Sequence, residues 1–438
     1  MPTRRQFLLT TAATGLAGVG ALSACSRPAP ELEEGDALRM RVWSEQAASA
    51  YATSFAAFTE STGLTVEVEV LTWDDYWKQM PLDAAAGTLP DVIWMNTANL
   101  AAAIEGDHLL EAGPMVGSVV GQWDQIAADQ YTVDGALWGV PQYSDQSLLV
   151  AHDDLVSGAG GDATALGAEP GAPSDALRDL ARAITVDGEG RHPGDEGFDA
   201  ASRTAFGFGA HLDRSAVLGP FVAGQGGRWQ DEEGAFALDS AEAVAAIQYL
   251  ADLTTSFLAP DGTETTQDPA RCRNLFLEGR LGLLQTGTYD LGTLGDGIAQ
   301  SFPWSVHPVI PGPRGARPLV HAVAAVAVDP DDEDREAAIG ELMSWLGTVD
   351  GQRPLAENRI GIPGHRDLRS AWEQAWSEQG VDVSAIGAPE EVAAPEHGLR
   401  SAEGTAAALG VIAEVFRGEA AAAEAMPRAQ AAAEAAVG

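Results

Sequence analysis

Leu38-Arg39-Met40-Arg41-Val42-Trp43 alternates apolar and polar side chains, and the stretch it opens, as far as Met95, decides the fold. Alternation with period two marks a strand. Ala47, Tyr51, Ser54, Phe55 and Phe58 then fall on one face of a helix, which Gly63 ends. Leu64, Val66, Val68 and Val70 alternate with Thr65, Glu67 and Glu69, giving a second strand. A second helix is expected from about Trp73 to Ala86, with Thr72 as its N-cap and Gly87 as its stop. Leu89-Pro90-Asp91-Val92-Ile93-Trp94-Met95 reads as a third strand, and Asn99 as the cap of a helix through Ile104. This alternation predicts an α/β fold, a parallel sheet with right-handed crossovers. Ligands of such sheets sit beyond the carboxyl ends of the strands. Those ends carry Trp43-Ser44-Glu45, Leu71-Thr72-Trp73-Asp74 and Trp94-Met95-Asn96, an aromatic residue at each.

Further along, the Gly-, Ala- and Pro-rich residues 157–173 and the polar residues 187–200 read as surface loops. Pro173-Ser174-Asp175 opens a helix through Ile184, and Asp239-Ser240 caps a long one bearing Val244, Ile247, Leu250 and Leu253. Asn274 to Leu277 is helical. Leu281-Gly282-Leu283-Leu284-Gln285 and residues 319–328 read as strands, and residues 331–346 as an amphipathic helix. The Ala-rich residues 404–435 read as helical, and no internal repeat is visible.

Upstream, Arg4-Arg5 with Phe7-Leu8 resembles a twin-arginine export signal, and Leu22-Ser23-Ala24-Cys25 resembles a lipobox. The apolar run between them is too short and too rich in Gly, Ala and Thr to favour a transmembrane anchor. The expectation is a signal peptide over 1–24, cleavage before a lipid-modified Cys25, and an acidic, Pro-rich tether over 25–36. The protein would be exported and lipid-anchored to the outer face of the cytoplasmic membrane.

The 438 residues hold 25 basic and 64 acidic side chains, a net charge of −39. A surface this negative repels phosphate backbones, so nucleic acid is not an expected partner. Neutral or cationic small molecules remain open. With Cys25 lipidated, Cys272 has no partner for a disulfide. Arg271 and Arg273 could lower its thiol pKa, or it is a half-buried helix cysteine. The histidines show no metal-ligand spacing, and no metal or cofactor is expected.

Several stretches resemble the extracellular solute-binding proteins of ABC-type sugar importers, the family of maltose-binding-protein-like lipoproteins. They are Trp73-Asp74-Asp75-Tyr76-Trp77, Ala84-Ala85-Ala86-Gly87, Leu89-Pro90-Asp91-Val92 with Asn96, and Asp134-Gly135-Ala136-Leu137-Trp138-Gly139-Val140-Pro141 with Asp145. Phe276-Leu277-Glu278-Gly279-Arg280-Leu281-Gly282-Leu283, Gly287-Thr288-Tyr289, Ala337 to Leu346, Gly351-Gln352 and Ile362-Pro363 continue the match in order. Two departures stand out. Val150-Ala151-His152-Asp153 replaces a usual Tyr-Asn-Lys-Asp, and Tyr289 replaces a tryptophan, so the family's sugar preference does not carry over. The resemblance implies a periplasmic-binding-protein-like fold, two α/β lobes joined by a hinge with a ligand cleft between them. Crossings are expected near Gln142–Gln146, Val306–Gly312 and Leu346–Gly351. The N-terminal lobe would hold 37–143 and 310–347, the C-terminal lobe 144–309 and 348–438. It also implies a monomer that passes its ligand to the transmembrane subunits of an ABC permease.

A sugar packs its C–H faces on aromatic rings, and its hydroxyls need polar partners once water is excluded. The candidate plates are Trp43, Trp73, Tyr143, Trp229, Tyr289 and Trp304. The candidate hydroxyl partners are Glu45, Asp74, Asn96, Asp145, Gln225, His321 and Arg359. Plainer rivals exist: Trp43 could cap the core, one of Trp73 and Trp77, at i and i+4, could simply pack on the sheet, and Asp74-Asp75 could serve the helix dipole. A neutral carbohydrate is the expected ligand. Three alternatives remain: an exported carbohydrate-active enzyme with paired carboxylates, the same fold binding a polyamine, an iron complex or a peptide, and a surface lipoprotein without a transport role. No Gly-x-Ser-x-Gly elbow or phosphate loop supports catalysis.

Overall fold

A computed structural model describes residues 36–387, 389 and 391–438. The export signal, Cys25 and the tether up to residue 35 lie outside the described residues.

The opening stretch folds as its periodicity dictates. Strand β1 (Leu38–Val42) pairs in parallel with β2 (Val66–Val70) and β3 (Val92–Met95), placing Leu38 beside Val66 and Met40 beside Val92. Helices α1 (Glu45–Thr62), α2 (Trp73–Ala86) and α3 (Thr97–Glu105) are the crossovers. Ser44 and Thr72 cap the first two, accepting from the N–H groups of Ala47 and Asp75. Gly63 and Gly87 end them with positive φ. The cap of α3 is Asn96 and not Asn99: its extended backbone frees the Asn96 Oδ1 to accept from the Asn99 N–H at 3.1 Å.

After β4 (Leu109–Leu110), strands β5 (Thr132–Val133) and β6 (Ala136–Leu137) form a hairpin through Asp134 and Gly135. Both turn residues have positive φ, +51° and +81°, as a two-residue type I′ turn demands. Strand β7 (Gly139–His152) is buried along its whole length. The remaining strands are β8 (Phe206–Phe208), β9 (Leu281–Gly287), β10 (Trp304–His307), β11 (Val320–Val328) and β12 (Ile362–Pro363). The sheet order is β2-β1-β3-β11-β7-β9-β8, with β4, β10 and β12 attached at β11 or β7. Strand β11 lies antiparallel between β3 and β7, so the sheet is mixed.

Each lobe has three layers, because its part of the sheet is apolar on both faces. In the first lobe Met40, Phe58, Trp94 and Ile339 pack on one face, and Ile93, Leu100, Tyr131 and Val326 on the other. In the second, Leu149 and Ala151 of β7 join Phe221, Ile247 and Ile412, whereas Leu148 and Val150 join Phe276 and Trp372. This alternation is the strand period. Between Tyr143, in the first lobe's core, and Leu148, in the second's, β7 reads Ser144-Asp145-Gln146-Ser147, four buried polar residues. The chain thus passes between lobes on a polar segment. The Ser147 hydroxyl accepts from the Leu319 N–H and the Gln146 N–H donates to the Thr288 hydroxyl. Helix Val349–Glu357 packs on both lobes, Leu355 with the first and Ala356 with the second.

The Ala-rich C-terminus is two helices, Ser401–Phe416 and Ala422–Val437, folded back on each other. Gly418, with φ +71°, makes the break that helical composition masked. Cys272 is fully buried. Among the described residues no helix is long and apolar enough to cross a membrane.

Candidate functional site

The carboxyl ends of the first-lobe strands open onto a cavity of about 950 Å³ between the lobes. Its floor is the polar crossing: Tyr143 and Asp145 of β7 with His321 and Val323 of β11. The first lobe contributes Trp43, Ser44, Gln46, Trp73, Asn96 and Thr97; the second contributes Asp213, Arg214, Thr288 and Tyr289. Asp296, Arg359, Trp376, Gln379 and Glu396 are also in the wall.

Two rings stand open in this cleft, Trp73 at 50% exposure and Tyr289 at 43%. Trp73 begins α2, where the Thr72 cap fixes the chain. It meets Trp43 edge-on, with ring centroids 5.2 Å apart, and Trp43 meets Trp94 at 5.0 Å. The Trp94 indole N–H donates to the Tyr51 hydroxyl, which donates to Gln142 Oε1 at 2.9 Å. The open ring is therefore backed by rings down to the hinge strand, each contact adding roughly 0.5–1.5 kcal/mol beyond area burial. Across the cleft the Tyr289 hydroxyl donates to Asp213 Oδ2 at 2.8 Å. Desolvation, reinforced by the charge of Asp213, pushes this phenol well above its ordinary pKa.

Asp145 sits below these rings. Its Oδ1 accepts from the Thr288 hydroxyl at 2.7 Å, and its Oδ2 lies 3.8 Å from His321 Nε2. Burial pushes its carboxyl up in pKa, against the opposing pull of His321 and Thr288.

Arg214 begins a π-helical turn that Asp213 caps, a geometry frequent at functional sites. It is 6% exposed. Its guanidinium lies over the Trp229 ring at 5.4 Å, and Nη2 donates to the Ala394 carbonyl at 3.0 Å. Nε is 3.8 Å from Glu396 and has no hydrogen-bond partner. Burial lowers the Arg214 pKa. The Trp376 indole N–H is likewise buried without a partner, under the Arg359 guanidinium at 5.4 Å. An unpaired buried donor costs about 1–3 kcal/mol.

Eight of the sequence-derived residues meet at the cleft: Trp43, Trp73, Asn96, Tyr143, Asp145, Tyr289, His321 and Arg359. Five do not line it. Glu45 and Asp74 are exposed in the first turns of α1 and α2, where a carboxylate suits the helix dipole. Trp229 is 4% exposed in the second-lobe core, its indole donating to the Thr405 hydroxyl at 3.1 Å. Gln225 ends helix Gly219–Gly224 and lies close to Gly312. Trp304, on β10, pairs with His152 of β7 and packs on the cluster around Phe276. The rings of Trp229 and Trp304 turn into packing. Sequence reasoning missed Asp213, Arg214, Thr288, Trp376 and Glu396. Thr288 stood next to Tyr289 in a quoted motif; the others carried no local signal.

Three acids of the cleft have partners: Asp145 with Thr288 and His321, Asp213 with Tyr289, and Glu396 facing Arg214. Asp296 is an exposed fourth. Two aromatic faces stand open among these hydrogen-bonding groups. The profile of the bacterial extracellular solute-binding protein family matches residues 43–353. M. tuberculosis UspC is 29% identical, with a TM-score of 0.78 over 92% of this chain and 100% of that one. An ABC substrate-binding protein of Listeria monocytogenes in complex with cycloalternan is 16% identical, with a TM-score of 0.72 over 91% of this chain and 99% of that one. Maltose-bound T. maritima MalE3 is 18% identical, with a TM-score of 0.72 over 91% and 98%.

Proposed function

We propose, for a chain that belongs to the bacterial extracellular solute-binding protein family, that it captures a neutral carbohydrate between its lobes and delivers it to the permease of an ABC importer. The facing rings of Trp73 and Tyr289, edged by Asp145 and Arg214, carry this reading. The fold is shared with proteins crystallised with cycloalternan and with maltose. The sugar's apolar faces lie on Trp73 and Tyr289; its hydroxyls meet Asn96, Asp145, Arg214, His321 and Arg359. Trp43 and Tyr143 back the platform. The protein binds and releases its ligand without cleaving it.

Closure rotates a first lobe of about 37–143 and 310–347 against a second of about 144–309 and 348–438, bending at the polar segment of β7. The protein works as a monomer, held at the outer membrane face by a lipid on Cys25. Native mass spectrometry of the purified protein, followed by thermal shift with sugars and with putrescine, tests the reading. A retained or stabilising sugar supports it. Stabilisation by putrescine alone replaces the sugar with a polyamine, and turnover of an added oligosaccharide makes the protein an enzyme.

A further inference from the structure

A second hollow, of about 1180 Å³, adjoins the cleft and shares Thr97, Arg214 and Pro395 with it as walls. One thickness of chain divides the two. Pro395 and Glu396 face the cleft, whereas Val392, Ala393, Ala394 and His397 face the hollow. We infer that this strap, residues 391–398, closes one end of the sugar site and sets the length of saccharide the protein accepts. The inference rests on the carbohydrate reading above.

The strap is built as a fixed wall. The Ala393 N–H donates to the Pro318 carbonyl at 2.9 Å, beside the crossing. The Arg214 guanidinium donates to the Ala394 carbonyl. Gln230 holds His397 twice: its Nε2 donates to the His397 carbonyl at 3.0 Å, and its Oε1 accepts from the His397 N–H at 3.2 Å. Arg317 pairs with Glu391 at the near end. Just beyond, the Ser401 hydroxyl donates to the Ala98 carbonyl of the first lobe at 3.3 Å. The strap is thus tied to the second lobe at Arg214 and Gln230 and to residues 317 and 318 at its near end, and Ser401 just beyond it reaches Ala98. A sugar chain growing from the cleft toward Arg214 meets Pro395 and Glu396. Without them it would run on into the hollow, past Gln230 and Asp134. The site therefore takes short saccharides and stops longer ones end-on.

Gln230 and Arg317 touch the strap and the hollow but do not line the cleft, so their loss loosens the wall and spares the platform. Titration calorimetry would use two ladders, α-1,4- and β-1,4-linked glucose oligomers of one to six units. Wild type is expected to bind short members of one ladder and to lose about tenfold or more in affinity for the longer ones. Gln230→Ala and Arg317→Ala should keep the short-member affinity within about twofold and recover about tenfold for the long members. Hydrogen exchange would show whether the strap amides open faster in each variant. Equal wild-type affinity for short and long members, or continued rejection of long members by a variant whose strap exchanges faster, overturns the inference and leaves the carbohydrate reading standing. No binding by any member of either ladder overturns the inference, and the carbohydrate reading falls with it when native mass spectrometry and thermal shift also find no sugar.

Discussion

Asp145 and His321 stand directly opposite each other on β7 and β11, Oδ2 and Nε2 3.8 Å apart, where the chain passes from one lobe to the other. Because burial raises the Asp145 pKa, this carboxylate takes up its proton at a higher pH than an exposed aspartate. A protonated Asp145 loses its charge-assisted acceptor role, worth about 1.5–3 kcal/mol. Wild-type affinity for a sugar is expected to fall as pH drops toward that raised value. Asp145→Asn should bind about tenfold more weakly at pH 7 and show a flat profile, read by calorimetry from pH 4 to 8. Stability runs the other way. A folded pKa above the unfolded one adds stability at low pH that is lost as pH rises through the folded value. The variant should lack that slope in thermal melts.

Trp73→Ala and Tyr289→Ala each remove an exposed ring. Each should weaken sugar binding by about tenfold or more, the scale of an interface anchor, and leave the melting temperature within about 2 °C. Loss of stability without loss of affinity would place these rings in the scaffold.

Trp229→Phe keeps an aromatic ring in the second-lobe core and deletes the donor to Thr405. It should cost about 1 kcal/mol of stability in urea unfolding and change sugar affinity by less than about threefold. Arg214→Ala, which empties the cleft wall itself, should do the reverse in affinity, with a loss of tenfold or more.

Asp187 organises the loop after helix Ala176–Ile184, accepting from the N–H groups of Glu189, Arg191 and Asp199 and from the Arg191 guanidinium. These bonds hold its pKa far below the carboxylate range. A depressed folded pKa adds stability above the unfolded value that is lost as pH falls through the folded one. Asp187→Asn should melt a few degrees lower at pH 7, and the two proteins should converge as pH falls below about 4. Melts in an acid series check this.

Cys25→Ser should move the protein from the membrane fraction to the soluble exported fraction, with its sugar affinity unchanged. Fractionation and immunoblotting read the outcome.

The framework of the first lobe was legible because it is written in local periods. Strand and helix between Leu38 and Met95 and the cap Thr72 depend on neighbours a few residues apart. Trp43, Trp73 and Asn96 were found for the same reason, since strand ends point at the cleft. Trp304 and Trp229 misled because a loop or short strand gives no period from which to tell which way a ring turns.

By itself the sequence determined the α/β alternation, the family resemblance and the aromatic strand ends. The tertiary structure decided the insertion of β11 between β3 and β7, the unpaired donors of Arg214 and Trp376, and the strap behind Glu396. The reason is distance along the chain. His321 faces Asp145, and Arg214 holds Ala394, across separations far longer than any helix or strand. No short-range pattern of apolar and polar residues encodes which of those partners will meet.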